Sequence, residues 1–316
     1  MIVAAGLGTR LLPLTRLRPK PAVPVRGVPL IGYQLALLRA HGVSEVVVNT
    51  HHLPQELEAA ARRFCPDGLT LHFSWEREIL GTGGAIRRVA DFLRESDPCL
   101  ILAGDMLFDA DLSALVDQHC ESGAAITLLL RNDARMTRFG SIGVDAGGGV
   151  RRIAARFDLG GESRAGLYTW ANVVSRRALD ALPQREVFSH FDHWIAPMLA
   201  GGARDVRGEL DLPCTWEPVG TLAEYLSANL SPPRLSYLDR AALPGAARVE
   251  GDVVIGAGAT IGPGARLDRV VIWDGERVPA GLRAREGVFA GGALHSALDP
   301  SPPPCVEGAG RRPESA

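Results

Sequence analysis

Residues 1–21 read MIVAAGLGTRLLPLTRLRPKP, an apolar run of five residues followed at once by a loop that contains glycines. A buried strand that ends in a glycine-containing loop is typical of nucleotide sites in α/β proteins. Two common phosphate motifs are excluded here. Leu11 stands where the third glycine of G-x-G-x-x-G would be, and no Gly-Lys-Ser/Thr follows. The stretch therefore predicts an α/β fold with a phosphate loop of another kind.

Outward from this stretch, short apolar runs alternate with amphipathic segments. We predict strands at 1–5, 45–50, 69–74, 99–103 and 124–130, and helices at 29–41, 54–64, 83–94 and 110–121. Further along the chain we predict strands near 141–145, 150–153, 166–173 and 213–217, and helices near 175–181, 190–200 and 221–229. Strands that alternate with helices form βαβ units with right-handed crossovers. We therefore expect a doubly wound, mostly parallel sheet over residues 1–232.

A six-residue repeat marks the C-terminal part of the chain. Val249, Ile255, Ile261 and Leu267 recur every six positions, which is typical of short strands joined by tight turns in a parallel β-helix. We predict a short left-handed β-helix over 246–293, with too little core to be stable unless it packs on the α/β domain or on a second copy. The Pro-, Gly- and charge-rich residues 296–316 are expected to be disordered.

Composition excludes several classes of protein. The formal net charge of −2 over 316 residues gives no electrostatic reason to expect a nucleic acid or a membrane surface as partner. No apolar run approaches the roughly 20 residues of a membrane span. The five cysteines are scattered and odd in number, which indicates reduced thiols in a cytoplasmic protein. A strand this close to Met1 leads us to expect the natural start a few codons upstream.

The first loop carries groups that suit a phosphate ligand. In doubly wound sheets, ligands bind beyond the carboxyl ends of the strands, and this loop leaves such an end. Gly6 and Gly8 allow backbone N–H groups to turn toward an anion. Arg10 and Lys20 add two positive charges within one loop that its prolines stiffen. Positioning and charge stabilisation of this kind predict phosphoryl or nucleotidyl transfer.

The segment AAGLGTRLLPLTRLRPKPAVPVRGVPLI, residues 4–31, resembles the signature of sugar-1-phosphate nucleotidylyltransferases, the NDP-sugar pyrophosphorylases. The resemblance covers residues 1–230, and the hexad tail is similar to the β-helix of many members. It implies that a sugar-1-phosphate oxygen attacks the α-phosphorus of an NTP and that pyrophosphate leaves, with Mg²⁺ neutralising charge. The residues that it assigns to the nucleotide are Ala4, Ala5, Gly6, Gly8 and Thr9, and those that it assigns to the phosphates are Arg10 and Lys20.

Three later segments fit this resemblance. EREILGTGGAI, residues 76–86, resembles the segment that contacts base and ribose, which implies roles for Gly81, Thr82 and Gly83. The alternative is a helix N-terminus after a glycine turn. LILAGDM, residues 100–106, ends a strand at Asp105, which the family uses to bind Mg²⁺. The alternative is an ordinary aspartate in a turn.

The third segment, RFGSIGV at residues 138–144, resembles part of the sugar pocket, with Gly140 against a sugar hydroxyl or serving only as a turn glycine. Where the family has Glu-Lys-Pro, this chain has Ala155, Arg156 and Phe157. Arg156 keeps a positive charge for the sugar phosphate, although it equally suits a solvated strand. The carboxylate that would fix the sugar hydroxyls is missing.

A second departure lies in TWEPVGT, residues 215–221. The family motif is Trp-x-Asp-x-Gly-Thr, and Pro218 stands in place of the aspartate that is the second metal ligand. Glu217 would replace it only if a bulge turned that side chain inward, because neighbouring strand residues point to opposite faces. Alternatively, Asp105, water and the substrate phosphates hold Mg²⁺, which tolerates a single carboxylate.

The segments that contain histidines give less indication of a function. His51 and His52 suit a loop that enters a helix, and His190 and His193 in SHFDHW suit surface or packing positions, since H-x-x-H is not a zinc signature. The repeats do not suit an acyltransferase, because the nearby His295 lies outside them.

Taken together, the sequence predicts a cytoplasmic enzyme that makes an NDP-sugar with Mg²⁺. The segment LGTGGAI and the short linker before the repeats resemble most the members of the family that use GTP and mannose-1-phosphate, and uracil and thymine stay open as the base. Two alternatives stay open: a non-catalytic homologue that binds nucleotide or NDP-sugar and regulates a partner, and a cytidylyltransferase that acts on a phospho-alcohol. The open coil ends predict a homo-oligomer, and loss of the β-helix is expected to change the oligomeric state more than the chemistry.

Overall fold

The apolar run at the start of the chain forms β1, a two-residue strand in the middle of a ten-stranded sheet. A computed structural model describes residues 1–238 and 247–298. The predicted disordered tail at 296–316 therefore lies mostly outside the described residues. The division of the chain at residues 232 and 246 stays a prediction.

The elements of the first half follow the predicted alternation. Their bounds are β1 Ile2–Val3, β2 Pro24–Val25, β3 Val28–Pro29, α1 Leu30–Ala40, β4 Glu45–Thr50, α2 Pro54–Arg63, β5 Thr70–Trp75, α3 Gly81–Arg88, α4 Ala90–Leu93, β6 Cys99–Ala103, β7 Met106–Ala110, α5 Leu112–Ser122 and β8 Ile126–Arg131. Each strand predicted for this half is present, and so is each helix, although the predicted helix at 83–94 is divided at Val89 into α3 and α4. The sequence analysis missed three strands, β2, β3 and β7. It missed β7 because a continuous apolar stretch hid the turn at Gly104 and Asp105.

The next part of the chain is more irregular. Its elements are α6 Met136–Phe139, β9 Ile142–Val144, β10 Val150–Ile153, β11 Phe157–Asp158, β12 Arg164–Val174, α7 Arg176–Asp180, a π-helix Phe191–Ile195, α8 Ala196–Ala200, β13 Val206–Glu209, β14 Cys214–Pro218 and α9 Leu222–Leu230. The predicted helix at 190–200 is thus split into a π-helical and an α-helical part.

The strands around β1 are parallel. Ile2 pairs with Val48 of β4 on one side and with Leu102 of β6 on the other, and β5 continues the parallel order beyond β4. On the far side of β6 lies β12, which runs antiparallel to it. The carboxyl ends of β1 and β6 therefore meet at the same edge of the sheet, and the loops that follow them are neighbours.

Alternate residues of these strands pack into two cores, one on each face of the sheet. Ile2, Val46 and Val48 belong to one core, whereas Met1 and Val47 belong to the other. Because helices cover both faces, β1 and β6 and the middle of β4 are apolar on both sides. This confirms the α/β architecture with a mostly parallel central sheet.

The C-terminal repeats form stacked coils of β-strand. The bounds are β15 Arg248–Glu250, β16 Val253–Ile255, β17 Thr260–Ile261, β18 Arg266–Ile272, β19 Arg277–Val278, β20 Arg283–Ala290 and β21 Ala293–Ser296. Val253 pairs in parallel with Val270, and Val270 with Gly287, so each coil takes 17 residues. The left-handed twist stays a prediction.

These coils share a core with the α/β part of the chain. Val254, Val271 and Val288 pack with Tyr225 and Leu226 of α9. This agrees with the expectation that so short a solenoid must pack on a larger partner, and here the α/β part of the same chain supplies the contact.

Candidate active site

Three short 3-10 turns shape the loop that follows β1, at Thr9–Leu11, Leu14–Arg16 and Lys20–Ala22. Gly8 begins the first turn with a φ of 64°. A Cβ atom at Gly8 would lie 2.8 Å from Thr15 Cγ2 and 3.0 Å from Lys20 Cβ. Glycine is therefore needed at this position both for its conformation and for its space, and it lets the start of the loop lie against Lys20.

A pocket opens where this loop meets the ends of β1 and β6. Its lining residues are Val3, Ala4, Gly6, Gly8, Thr9, Arg10, Lys20, Pro21, Asp105 and Gly220. The fold thus brings together most of the residues that the sequence assigned to nucleotide, phosphate and metal. Ala5 is buried and does not line this pocket.

The centre of the pocket is an ion pair between Lys20 and Asp105. Lys20 Nζ donates to Asp105 Oδ2 at 2.6 Å, and the side chains are 9% and 43% exposed, respectively. Within residues 1–238 and 247–298, Asp105 Oδ1 makes no hydrogen bond. The ammonium is therefore held at the carboxyl edge of β6, while one carboxylate oxygen remains available to a ligand.

Arg10 also lines the pocket and lies against Gly220. A Cβ atom at Gly220 would lie 3.3 Å from Arg10 Cζ. Gly220 N–H donates to Glu224 Oε2 at 2.8 Å, and Thr221 caps α9 by accepting from Glu224 N–H. Arg10 is exposed and has no ion pair among the described residues. Together with Lys20 it makes the pocket attractive to anions.

A buried polar network ties the first loop to α3. Ala4 N–H donates to Asn49 Oδ1 at 2.7 Å, and Asn49 Nδ2 donates to Glu76 Oε1 at 2.7 Å. The other oxygen of Glu76 accepts from Leu80 N–H at 3.1 Å. Asn49 and Glu76 are each 1% exposed. Sequence reasoning missed both positioning residues, because a polar residue at a strand end does not reveal its partner.

The glycines of α3 are packed against another segment of the chain. Phe188 O accepts from Gly83 N–H at 2.9 Å, and a Cβ atom at Gly81 would lie 2.7 Å from the same oxygen. A Cβ atom at Gly83 would overlap the Phe188 ring. These contacts require glycine whatever the ligand. Gly81, Thr82 and Gly83 do not line the pocket of Lys20, and their contact with a nucleotide stays a prediction.

Thr82 is held by a buried histidine. Its Oγ1 lies 2.6 Å from His190 Nδ1, and His190 N–H donates to it at 3.2 Å. The imidazole packs beside Trp170 and Phe191, with ring centroids 5.2 and 4.1 Å away. Burial lowers the pKa of His190 to about 4, so the ring is neutral at pH 7. The segment that the sequence assigned to surface or packing is thus a packing element in contact with Thr82.

Arg156 lies outside the pocket and is paired with a carboxylate from the π-helix. Its Nη1 donates to Asp192 Oδ2 at 2.8 Å and to Oδ1 at 3.2 Å. Gly140, with a φ of 85°, lies beside this region, since a Cβ atom there would be 3.2 Å from Ala154 Cβ. Asp192 was not foreseen from sequence, because 36 residues separate it from Arg156.

The structure contradicts the possibility that a bulge turns Glu217 into the site. β14 pairs with β7 in regular register through Pro218, which lies opposite Met106. The Glu217 carboxylate accepts from Arg135 Nη1 at 2.8 Å. The same guanidinium hydrogen-bonds to Asp133 and holds the pKa of that carboxyl at about 2. Pro218 offers no ligand, so Asp105 is the one carboxylate among the residues that line the pocket.

Residues 1–238 and 247–298 contain no cluster of three His, Cys, Asp or Glu side chains arranged to hold a metal ion. No helix in these ranges combines the length and apolarity that a membrane crossing requires.

Comparison with known proteins gives consistent matches. Residues 1–232 match the family model described as nucleotidyl transferase. A mannose-1-phosphate guanylyltransferase of Mycobacterium tuberculosis is 33% identical over 297 residues, which cover 89% of this chain and 81% of that protein. A UTP–glucose-1-phosphate uridylyltransferase of Synechocystis is 27% identical over 244 residues, which cover 72% of this chain and 61% of that protein.

Among solved structures, HddC from Yersinia pseudotuberculosis matches this fold with a TM-score of 0.58 at 21% identity. The match covers 72% of this chain and 96% of that chain. It is a likeness of fold.

Replacing Gly8 by alanine is expected to weaken both the fold and the pocket. The left-handed conformation costs a residue with a Cβ roughly 1–2 kcal/mol, and the added atom would push on Lys20. Denaturant unfolding and binding of tripolyphosphate would measure the two effects. Gly123→Ala is the control, because Gly123 has a similar φ of 61°, its Cβ would meet no atom within 4 Å, and it does not line the pocket. The control should lose stability but keep its phosphate affinity, and equal phosphate affinity for the two variants would contradict this account of Gly8.

The buried His190 is expected to make stability depend on pH. In the unfolded chain it titrates near pH 6.5 and in the folded chain near pH 4, so the unfolded state binds more protons between these values. Stability should be retained above pH 6.5 and fall below it by up to about 1.4 kcal/mol per pH unit. Denaturant unfolding at pH 7.5, 6 and 5 should show a weaker dependence for His190→Phe. His72→Gln, a surface control, should keep the wild-type dependence.

Proposed function

The chain belongs to the nucleotidyl transferase family, and on that premise we propose that it transfers a nucleotidyl group from an NTP to a sugar-1-phosphate. The observation that carries the proposal is the pocket of Lys20, Asp105 and Arg10 beyond the ends of β1 and β6. It combines two cations with one carboxylate at the edge where α/β sheets bind ligands. A triphosphate site needs groups of this kind, cations that bind the phosphate oxygens and a carboxylate that binds a metal ion.

The reaction is a substitution at the α-phosphorus of the NTP. An oxygen of the sugar phosphate forms a bond to that phosphorus, and the bond to the bridging oxygen of the β-phosphate breaks. Pyrophosphate leaves with the electron pair. Lys20 and Arg10 hold the phosphate oxygens in line and stabilise the negative charge that shifts to the leaving group. No side chain has to form a covalent intermediate.

The pocket also suits a magnesium ion that arrives with the triphosphate. Asp105 is partly exposed, and its Oδ1 has no hydrogen bond among the described residues. Magnesium binds through one or two carboxylates together with water and substrate phosphates, so the absence of a ligand at Pro218 is compatible with it. When bound there, Mg²⁺ neutralises charge on the reacting phosphates.

On the nucleotide side, we assign Gly6, Gly8 and Thr9 to the triphosphate through their backbone N–H groups. Base and ribose would lie between Ala4 and Ala5 on one side and residues 81–83 on the other. The buried network of Asn49 and Glu76 supports this assignment, because it fixes the distance between the two segments.

On the acceptor side, we assign Arg156 to the sugar phosphate and Gly140 to the wall of the sugar pocket. Asp192, which is paired with Arg156, would supply the carboxylate that the chain lacks at Ala155. The position of the segment that carries Asp192 supports this assignment. His190, two residues before Asp192, contacts the hydroxyl of Thr82, so this segment lies next to residues 81–83. The pair would thus bind sugar hydroxyls and phosphate together.

GTP and mannose-1-phosphate are the substrates that we propose first. The support is the relative from Mycobacterium tuberculosis, which is named for that pair and covers most of the chain. A second relative is named for UTP and glucose-1-phosphate, which makes that pair the second candidate.

The alternative function is a homologue that binds the nucleotide or NDP-sugar without turnover and regulates a partner. Pro218 motivates it, since a site with one carboxylate binds magnesium less tightly.

Pyrophosphate release tests the proposal. The protein is incubated with Mg²⁺, each of several NTPs and each of several sugar-1-phosphates, and turnover is expected with at least one pair. Lys20→Ala and Asp105→Ala should each lower kcat by about 10²-fold, the usual effect of removing an electrostatic stabiliser. Arg164→Gln, which breaks an exposed ion pair with Asp211, is the control. Binding without turnover would favour the regulator, and full activity of both variants would refute this site.

Asp192→Asn is expected to weaken acceptor binding selectively. Loss of hydrogen bonds to a charged group should raise KM for the sugar-1-phosphate about tenfold or more, with little change in KM for the NTP. Steady-state kinetics with each substrate varied in turn would measure both. Asp211→Asn removes a carboxylate from the comparable pair with Arg164 and should change neither constant. Equal behaviour of the two variants would exclude Asp192 from the acceptor site.

A further inference from the structure

The outer side of the catalytic loop rests on the C-terminal coils. Arg18 Cζ lies 4.8 Å from the centre of the Trp273 ring, a cation–π contact. A Cβ atom at Gly291 would lie 2.9 Å from Leu17 Cδ1. Trp273 directly follows β18, and Gly291 directly follows β20. Two consecutive loop residues, placed shortly before Lys20, therefore touch two successive coils.

The coil side of this contact is built rigidly. Trp273 is 4% exposed, and its Nε1 donates to the hydroxyl of Tyr225 at 2.9 Å. That hydroxyl donates in turn to Pro24 O at 2.6 Å. The indole is thus linked to the loop on both sides of Lys20, through Arg18 before it and through Pro24 after it.

The turn that receives Leu17 is fixed by a carboxylate. Glu276 accepts from the N–H groups of Gly291 and Gly292 at 2.6 and 3.0 Å. Gly291 has a φ of 61°, and the space beside it is filled by Leu17. A side chain at Gly291 would therefore displace the loop.

The same seating extends along the rest of the loop. Leu11, Leu14 and Val23 share a core with Val271 and Val288 of the coils. Leu11 and Leu14 precede Lys20 in the sequence, and Val23 follows it. The position of the ammonium that reaches Asp105 is thus set in part by residues more than 200 positions away.

We propose that the C-terminal β-helix is a positioning element of the active site, in which Trp273 and the turn at Gly291 hold the loop so that Lys20 meets the phosphates. The proposal rests on the proposed function for its kinetic consequences. It differs from the sequence expectation, which attached the β-helix to the oligomeric state more than to the chemistry. By linkage, a triphosphate that orders the loop must also stabilise its contact with the coils.

Variants of the loop side chains at this contact test the proposal, since Leu17 is exposed and Arg18 is half-buried, so neither is a fully buried core residue. Arg18→Gln and Leu17→Ala should each lower kcat/KM for the NTP by about 3- to 10-fold, as loss of a contact of this kind implies. Arg16→Gln is the matched control, since it removes the same charge from the same loop, and within residues 1–238 and 247–298 the Arg16 side chain makes no ion pair, hydrogen bond or cation–π contact. Thermal unfolding of all three variants should remain cooperative, which shows that each still folds, with a small decrease of the midpoint in Arg18→Gln and Leu17→Ala from the lost contact. Equal kcat/KM for Arg18→Gln and Arg16→Gln would overturn the proposal.

A second readout does not depend on turnover. Hydrogen exchange at the amides of Gly291 and Gly292 is measured in the wild-type protein with and without tripolyphosphate. We expect these amides to exchange more slowly when the anion is bound, and to lose that response in Arg18→Gln. Unchanged exchange of the wild-type amides would overturn the proposal. A protein that shows this coupling but no turnover would refute the proposed function, whereas the role of the C-terminal β-helix in positioning the loop would still be supported.

Discussion

The ion pair between Lys20 and Asp105 joins two parts of the chain that are 85 residues apart, the loop after β1 and the end of β6. Parallel pairing of β1 with β6 brings these ends to one edge of the sheet. Because Gly8 has no side chain, the aliphatic part of the Lys20 side chain can pack against the backbone at Gly8. The pocket depends on this arrangement, because an ammonium that is almost fully buried is stable only beside a partner of opposite charge.

Packing and ligand binding compete as explanations for the glycines of this fold. Gly81 and Gly83 look like part of a nucleotide loop, yet Phe188 fills the space where their side chains would be. The two roles are compatible, since a tightly seated helix end holds its neighbouring residues in place. Thr82 illustrates this, because His190 fixes its hydroxyl from the side of the same segment. A glycine motif alone does not separate these causes.

Most of the architecture could be predicted because each strand and helix carries its own periodic pattern. The meeting of the first loop with Asp105 was also predicted, since both follow strands whose ends lie at one edge, whereas Gly81, Thr82, Gly83 and Arg156 do not line that pocket. Contacts between distant segments could not be predicted. Asn49 and Glu76, or Arg156 and Asp192, show nothing in their local sequence that indicates a partner. The same applies to Glu217. Its carboxylate does not turn into the pocket because it is paired with Arg135, 82 residues away in the chain.

The sequence by itself determined the α/β class, the repeat at the C-terminus and the residue types that line the pocket of Lys20, since these follow from periodicity and from the first loop. The tertiary structure alone decided which groups are paired, which glycines are filled by neighbours, and that the coils bear on the loop of Lys20. The physical reason is that periodicity is a local property of a chain. Hydrogen bonds, ion pairs and close contacts depend instead on which segments folding brings within a few ångströms.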